Sequence, residues 1–329
     1  LDETFTALTG LPPRRREGQM YAGRTLCYED TARDLDVVFG ASLLDGIAAP
    51  MGVLLQAARW LAGALEEAYG AVFRELYEEL RAETGDGPVA LSDLWFLTQG
   101  MFWGDGERPV DAVAAEFAGR WAGLFGLDAL PPGTTEVRLR AADLAARVAE
   151  VFPTVRPEWS NARLHSPDLQ ICAADAEALA RGDYTVVLGE LHAAWPSFDC
   201  QVFTPSHPDV ERLRAALAAD LGERRIRLLF PTDWPRRTSR VAEALIGPTD
   251  RQLAFAPAPG ADPQRALPTV ALTVTDEAGR LVATAPDGQR WPLTEIFAGL
   301  LAAHAVDGFK LVAAAPYTPR ITLDRLVVA

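Results

Sequence analysis

The sequence predicts an α+β fold, with a helical first half and a mixed β-sheet with flanking helices in the second half. From residue 42 to residue 83, apolar side chains recur at helical spacing, which indicates one buried helix face. After Pro157 the pattern changes to short apolar runs typical of strands, separated by helical stretches. We therefore predict a mainly helical region with an N-terminal strand segment over residues 1–155. An α+β region follows over residues 156–329.

In the first region, one strand and several helices are expected. A strand is predicted at residues 21–28. Pro50 is expected to divide the long apolar stretch into two helices, because a proline inside a helix lacks a backbone donor and clashes with the preceding turn. Further helices are predicted at residues 109–125 and about 140–151, the second ending before Pro153.

The second region is predicted to alternate strands with helices. Strands are expected where apolar runs lie between turn residues, and helices where the apolar spacing lengthens. The predicted strands are residues 169–172, 184–188, 226–230, 253–256, 269–275, 281–284, 309–313 and 321–328, and the predicted helices are residues 175–181, 210–221 and 294–303.

Composition and charge narrow the classes of protein. The 329 residues are 49% hydrophobic, which is enough to bury a substantial core. A net charge of −14 argues against a protein that coats nucleic acid with its whole surface, but it leaves a local basic patch open. The cysteines, Cys27, Cys172 and Cys200, have no CxxC spacing, so neither a disulfide framework nor a zinc knuckle is predicted, and a reducing cytoplasm is favoured.

Charged residues interrupt each apolar run before it reaches about 20 residues, so no membrane span is predicted. The chain starts at Leu1 without the features of a signal sequence, and it stops within a strand-like run. We therefore expect a piece of a longer, multidomain polypeptide.

Polar residues are densest at residues 161–168 and 184–192, beside two predicted strands. In a strand, Glu190 and His192 lie two positions apart and share one face, and such a carboxylate can orient an imidazole for acid–base chemistry. His165 and Asp168 are the further candidates, Asp168 as a cap or a second carboxylate. Two alternatives stay open. Glu190 and His192 could satisfy each other at a domain joint, or the four residues could bind a metal, although no pair has an established ligand spacing.

Arginines form the other candidate binding groups. Arg24 follows a glycine near the first strand, where its planar guanidinium could hold a carboxylate or phosphate; a buried ion pair is the alternative. A second cluster lies beside Phe230 and Trp234, a combination that suits phosphates and exposed bases, although acids could equally balance it on a solvated face. The cluster consists of Arg224, Arg225, Arg227, Arg236, Arg237 and Arg240. No P-loop, GxGxxG or GxSxG motif is present.

Several stretches resemble the lantibiotic dehydratase family, specifically the amino-terminal, glutamylation domain of its actinobacterial-type members. Two of them contain the candidate site residues, namely RLHSPD at residues 163–168 and GDYTVVLGELH at residues 182–192. The other matching stretches are residues 1–10, 21–30, 57–60 and 319–328. They are distributed over the whole chain, and their order and spacing carry the resemblance.

This resemblance implies a fragment of a larger multidomain enzyme that uses glutamyl-tRNA to esterify Ser and Thr of a precursor peptide before elimination to dehydroamino acids. It implies glutamyl-tRNA as co-substrate, no bound cofactor or metal, and the precursor (leader) peptide as partner. An elimination domain, a cyclase or a second copy in a homodimer would be further partners. The related peptide aminoacyl-tRNA ligases, a non-catalytic scaffold that binds the precursor peptide or a partner synthase, and an unrelated metal hydrolase are the alternatives.

For the site, the resemblance suggests His192 with Glu190 as the base for the incoming hydroxyl. Arg24 or Arg163 would hold a carboxylate or phosphate. Arg236, Arg237 and Arg240 would contact tRNA, because phosphate neutralisation dominates such binding.

Overall fold

The computed structural model of the chain describes residues 1–10, 31, 34, 37–85, 87–103, 106–201, 203–223, 225–229, 243–255, 262–313, 315 and 317–329. Over these residues the chain combines α-helices with three β-sheets of mixed strand direction, so the predicted α+β class is confirmed. The strand predicted at residues 21–28 lies outside the described residues.

The longest element is helix α2, Ala41–Thr84, which follows a short helix α1, Asp2–Thr9. The prediction that Pro50 divides this stretch is wrong, because the helix continues through Pro50. A proline inside a helix costs about 3 kcal/mol. Each large apolar side chain that the helix buries contributes about 1.5–3 kcal/mol, so burial outweighs the proline. The fully buried side chains of α2 include Leu54, Leu61, Leu65, Tyr69 and Phe73.

Helix α2 is also the one helix in the described part of the chain whose length and apolar composition would allow it to cross a membrane. The prediction that no stretch qualifies is therefore not confirmed on these two criteria. A core helix passes the same test, and α2 buries more residues than any other described helix. The finding does not establish a membrane span.

Three further helices pack beside α2. They are α3, Leu91–Trp103; α4, Pro109–Phe125; and α5, Ala141–Val151. Helices α4 and α5 confirm two predicted helices, whereas α3 was not predicted. Aromatic rings join the helices at Trp60, which stacks on Phe117 with 6.4 Å between ring centroids.

The strands form three sheets. In chain order they are β1 Val89–Ala90, β2 Glu136–Leu139, β3 Ser166–Ala173, β4 Tyr184–His192, β5 Ile226–Leu229, β6 Arg251–Ala254, β7 Ala266–Pro268, β8 Thr273–Glu277, β9 Arg280–Thr284, β10 Arg290–Pro292, β11 Arg320–Leu323 and β12 Leu326–Val327. One sheet is antiparallel with the order β1-β8-β9-β10. The mixed sheet has the order β2-β11-β12-β4-β3, and the parallel one β5-β6-β7.

The remaining helices confirm the three predicted in the second half. They are α6 Ala176–Arg181, α7 Val210–Leu221, and the adjacent pair α8 Leu293–Ile296 and α9 Ala298–Gly308.

Three predicted strands need correction. Of the strand predicted at residues 269–275, residues 269–271 form a 3-10 helix, and the strand β8 begins at Thr273. Residues 309–313 form no strand, because Phe309 caps α9 and turns into the core against Phe117, at 5.1 Å between ring centroids. Residues 321–328 form two strands instead of one, since the chain reverses at Asp324, where φ is 52°.

Residues on both sides of position 155 contribute to one hydrophobic core. Strand β2 pairs in parallel with β11, and β1 pairs with β8. The main core cluster runs from α2 through α4 to α9 and the strands of the mixed sheet. The division at residue 155 stays a prediction, and the two regions are in direct contact.

Candidate active site

The candidate site lies at the end of the ladder between β3 and β4. Ser166 faces His192 across the two strands, and Asp168 faces Glu190. Leu169 then pairs with Leu188, so the intervening Gly189 is an extra residue of β4 and forms a β-bulge. The apolar part of the strand lies on one side of this bulge, and the polar side chains come together on the other side.

His192 is the centre of the site and is only 5% exposed. Its Nε2 lies 3.2 Å from Oε2 of Glu190, and its Nδ1 lies 2.6 Å from Oγ of Ser197. Oδ1 of Asp168 is 3.8 Å from the same Nδ1. An ionised carboxylate only accepts hydrogen bonds, so we assign the proton of the neutral imidazole to Nε2, where it is donated to Glu190. Nδ1 then accepts from the Ser197 hydroxyl.

The loop after β4 is held in one conformation by the two residues that begin the polar segment. Ala194 has a φ of 56°, an uncommon conformation for a residue with a side chain. Its N–H donates to Nδ1 of His165 at 3.0 Å. The Ser166 hydroxyl donates to the carbonyl of Trp195 at 2.7 Å and accepts from the N–H of Ser197 at 3.1 Å. These bonds place Ser197 against His192.

His165 therefore supports the loop and does not contact the carboxylates. Burial, with a smaller effect of Arg59, lowers the pKa of His165 to about 4, so its ring is neutral at pH 7. Of the four residues predicted from the sequence, the structure brings Asp168, Glu190 and His192 together. His165 acts behind them as a hydrogen-bond acceptor.

The same three residues form the one group of acids, cysteines and histidines in the described ranges that has the geometry to hold a metal. Their ligand atoms lie within 4.8 Å of one another. The contacts of His192 with Glu190 and Ser197 are, however, of hydrogen-bond length. That this site binds no metal in the active protein stays a prediction.

Arg163 lies apart from this site, in a cleft of about 650 Å³ that none of Asp168, Glu190 and His192 lines. It donates weakly to the carbonyl of Asp220 at 3.4 Å, and its charge acts on the carboxylate of Glu295. The cleft also contains Glu295, whose two carboxylate oxygens accept from the N–H and hydroxyl of Ser160, each at 2.6 Å. Burial raises the pKa of Glu295.

Of the predicted arginine cluster, the structure describes Arg225 and Arg227, and the other members lie outside the described residues. Arg225 and Arg227 are buried, so the idea that they contact phosphate is wrong. Arg225 pairs with Asp250 at 2.8 Å and Arg227 with Asp199 at 3.1 Å, because buried guanidinium groups need ionic partners. The remaining predicted tRNA or substrate contacts lie outside the described residues, namely Arg24, Arg224, Arg236, Arg237 and Arg240.

Sequence reasoning missed the contribution of Ser197, because it belongs to a loop with no periodic pattern. The available signal was indirect: a short polar residue follows a strand that ends in histidine. It also missed Glu295 and Ser160, which are far apart in the chain and meet only in the folded protein.

Together, the residues around His192 have the features of an acid–base site. A buried imidazole contacts a hydroxyl on one side and a carboxylate on the other. Asp168 and Glu190 are partly exposed, with side-chain exposures of 47% and 33%, so the site has an open side. The arrangement can move a proton from a hydroxyl to the imidazole and stabilise the resulting charge.

Comparison with known proteins gives one similarity. No family model matches the chain, and a search of curated proteins gave no match. Among solved structures, the chain is similar to the tRNA-dependent lantibiotic dehydratase MibB from Microbispora sp. 107891, with a TM-score of 0.44 and 15% sequence identity. The similarity covers 82% of this chain and 28% of that chain. At this identity and TM-score, it decides neither the family nor the activity of the present chain.

Proposed function

We propose that the chain is part of an enzyme that transfers an acyl group from an aminoacyl-tRNA to hydroxyl groups of a peptide. The observation that carries the proposal is the contact of His192 with Glu190 on one side and with a hydroxyl on the other. Acyl transfer from an activated ester needs a base for the incoming hydroxyl, and this geometry supplies one. The sequence stretches that resemble lantibiotic dehydratases add the donor, glutamyl-tRNA, and the acceptor, Ser or Thr of a precursor peptide.

Each residue has a defined part in this proposal. His192 takes the proton of the attacking hydroxyl. Glu190 holds the imidazole in the tautomer that leaves Nδ1 free to accept, and Asp168 stabilises the positive ring that forms. His165 and Ser166 are positioning residues, because they hold the loop that follows His192. No bound cofactor is required, since the ester is already activated.

Partners and location follow from the same chemistry. Arg236, Arg237 and Arg240 are the proposed phosphate contacts for tRNA, and Arg24 or Arg163 the proposed contact for a substrate carboxylate or phosphate. The peptide would be modified in the cytoplasm, where aminoacyl-tRNA is available. Elimination of glutamate would belong to a separate domain or protein, and a cyclase and homodimer formation are further proposals.

Binding of tRNA tests the first half of the proposal. Affinity for glutamyl-tRNA and for uncharged tRNA is measured across a salt series for the wild type and for Arg236→Ala and Arg237→Ala. Each lost phosphate contact should reduce the logarithmic salt slope by about 0.7–0.9. Arg181→Ala is the matched control, because Arg181 is exposed and already paired with Glu177 and Asp183. Absence of binding at low salt would refute a tRNA surface on this chain.

Transfer of glutamate tests the second half. We expect His192→Ala and Glu190→Gln to lose glutamyl transfer while they keep the fold and the binding of tRNA. Full transfer by both variants would instead identify the chain as a scaffold. Transfer to a peptide carboxy terminus, in place of Ser and Thr hydroxyls, would identify a peptide aminoacyl-tRNA ligase.

A further inference from the structure

The geometry points to Ser197 as a nucleophile that carries the acyl group covalently between donor and acceptor. This inference deepens the proposed function and rests on it, because it divides the acyl transfer into two steps. Its first support is the Ser197–His192–Glu190 chain of hydrogen bonds, with distances of 2.6 Å and 3.2 Å. A serine, a histidine and a carboxylate in this order form the arrangement that activates serine in unrelated enzymes, where geometry identifies it and sequence position does not.

The proton positions agree with this role. Nε2–H donates to Glu190, so Nδ1 is the atom that accepts the Ser197 proton. In the Ser-His-Asp triad of serine proteases, the serine contacts Nε2 and the carboxylate contacts Nδ1, which is the reverse of the arrangement here. In both arrangements the imidazole accepts the serine proton and the carboxylate holds the ring. Asp168 lies 3.8 Å from Nδ1, on the side where positive charge develops when the ring takes the proton.

The loop that carries Ser197 also offers hydrogen-bond donors for an oxyanion. The N–H groups of Trp195 and Phe198 donate to no other residue in the described ranges, whereas the neighbouring N–H groups of Ala194, Ser197 and Asp199 all have acceptors. In esterases, the residue directly after the nucleophile supplies one such donor. Phe198 holds this position here. The left-handed conformation of Ala194 and the bonds from His165 and Ser166 keep this loop fixed.

Each step balances. In the first, Oγ of Ser197 forms a bond to the carbonyl carbon of the aminoacyl ester and gives its proton to His192 Nδ1. The bond between that carbon and the ribose oxygen breaks, and the tRNA hydroxyl leaves with the proton. In the second, the acceptor hydroxyl attacks the acyl-serine and gives its proton to His192. Oγ of Ser197 leaves and regains the proton.

A fluorophosphonate probe tests the nucleophile without tRNA or peptide. The probe forms a stable bond to an activated serine with loss of fluoride, and peptide mass mapping locates the bond. We expect labelling at Ser197, loss of labelling in Ser197→Ala and His192→Ala, and unchanged labelling in Ser206→Ala, which removes an exposed serine nearby. Labelling elsewhere only, or equal labelling in Ser197→Ala, overturns the inference.

A cysteine variant keeps the test valid if Ser197→Ala fails to fold. In Ser197→Cys, the imidazole should make the thiol more reactive toward iodoacetamide than the exposed Cys172 of the same molecule. Equal or lower reactivity at position 197 contradicts an activated nucleophile.

Incubation with glutamyl-tRNA separates this inference from the proposed function. Without an acceptor peptide, radiolabelled glutamate should become attached to wild-type protein at Ser197. Transfer that is lost in His192→Ala but kept in Ser197→Ala supports the proposed function and refutes the covalent step. Suppose instead that the probe labels Ser197 but no variant changes the transfer of glutamate from glutamyl-tRNA. This result supports Ser197 as a nucleophile and refutes the proposed tRNA-dependent function.

Discussion

Two glycines of helix α2 give a sharp test of how the helical half packs. A Cβ atom added at Gly63 would lie 2.6 Å from Cγ2 of Val155, whereas one added at Gly70 would meet nothing within 4 Å. Both changes to alanine gain about 1 kcal/mol of helix propensity. Gly63→Ala additionally forces a stiff, β-branched side chain to move, and such overpacking costs about 1–3 kcal/mol.

The free energy of unfolding, measured by urea denaturation with circular dichroism, isolates that cost. We expect Gly70→Ala to be more stable than the wild type by about 0.5–1 kcal/mol. Gly63→Ala should be less stable than Gly70→Ala by about 1–3 kcal/mol. Equal stability of the two variants would refute the close contact between α2 and the segment that leads to the candidate site.

Two further predictions concern the site. His165→Asn keeps an acceptor for the Ala194 N–H but does not titrate. Because burial lowers the folded-state pKa of His165 from 6.5 to about 4, the folded protein binds fewer protons than the unfolded one in this window, so stability falls as pH falls. The variant should reduce the slope of the unfolding free energy against pH by up to about 1.4 kcal/mol per pH unit. Parallel curves of urea midpoint against pH for the wild type and the variant, between pH 7 and 4, would contradict this. Elemental analysis of the purified protein should find metal well below one equivalent, with transfer unchanged by a chelator. One equivalent of zinc, lost together with activity in Asp168→Asn, would instead support a metal hydrolase.

The sequence predicted elements best where local periodicity and burial agree. Helices α4 and α5 were predicted nearly to their ends. Pro50 misled the prediction, because the cost of a proline is local whereas the apolar face of α2 gains its stability from tertiary packing. Strand β2 was missed for a related reason, since a short strand is defined by its partner, here β11.

For the candidate site, the period of a strand was sufficient to place Glu190 beside His192. The addition of Asp168 depends on the register of β3 against β4 and on the bulge at Gly189, which no local pattern fixes. Ser197 reaches His192 only because the loop turns back through Ala194. Arg225 and Arg227 show the opposite error: a basic run suggested a surface, and the fold buries both in ion pairs.

Single-turnover cleavage of the glutamyl-tRNA ester tests the central claim, that His192 acts as the base in acyl transfer, most directly. With enzyme in excess, the rate for His192→Ala should fall by about 100- to 10,000-fold relative to the wild type, while tRNA affinity and the circular dichroism spectrum stay the same. An unchanged rate in a folded, tRNA-binding His192→Ala variant would contradict the account.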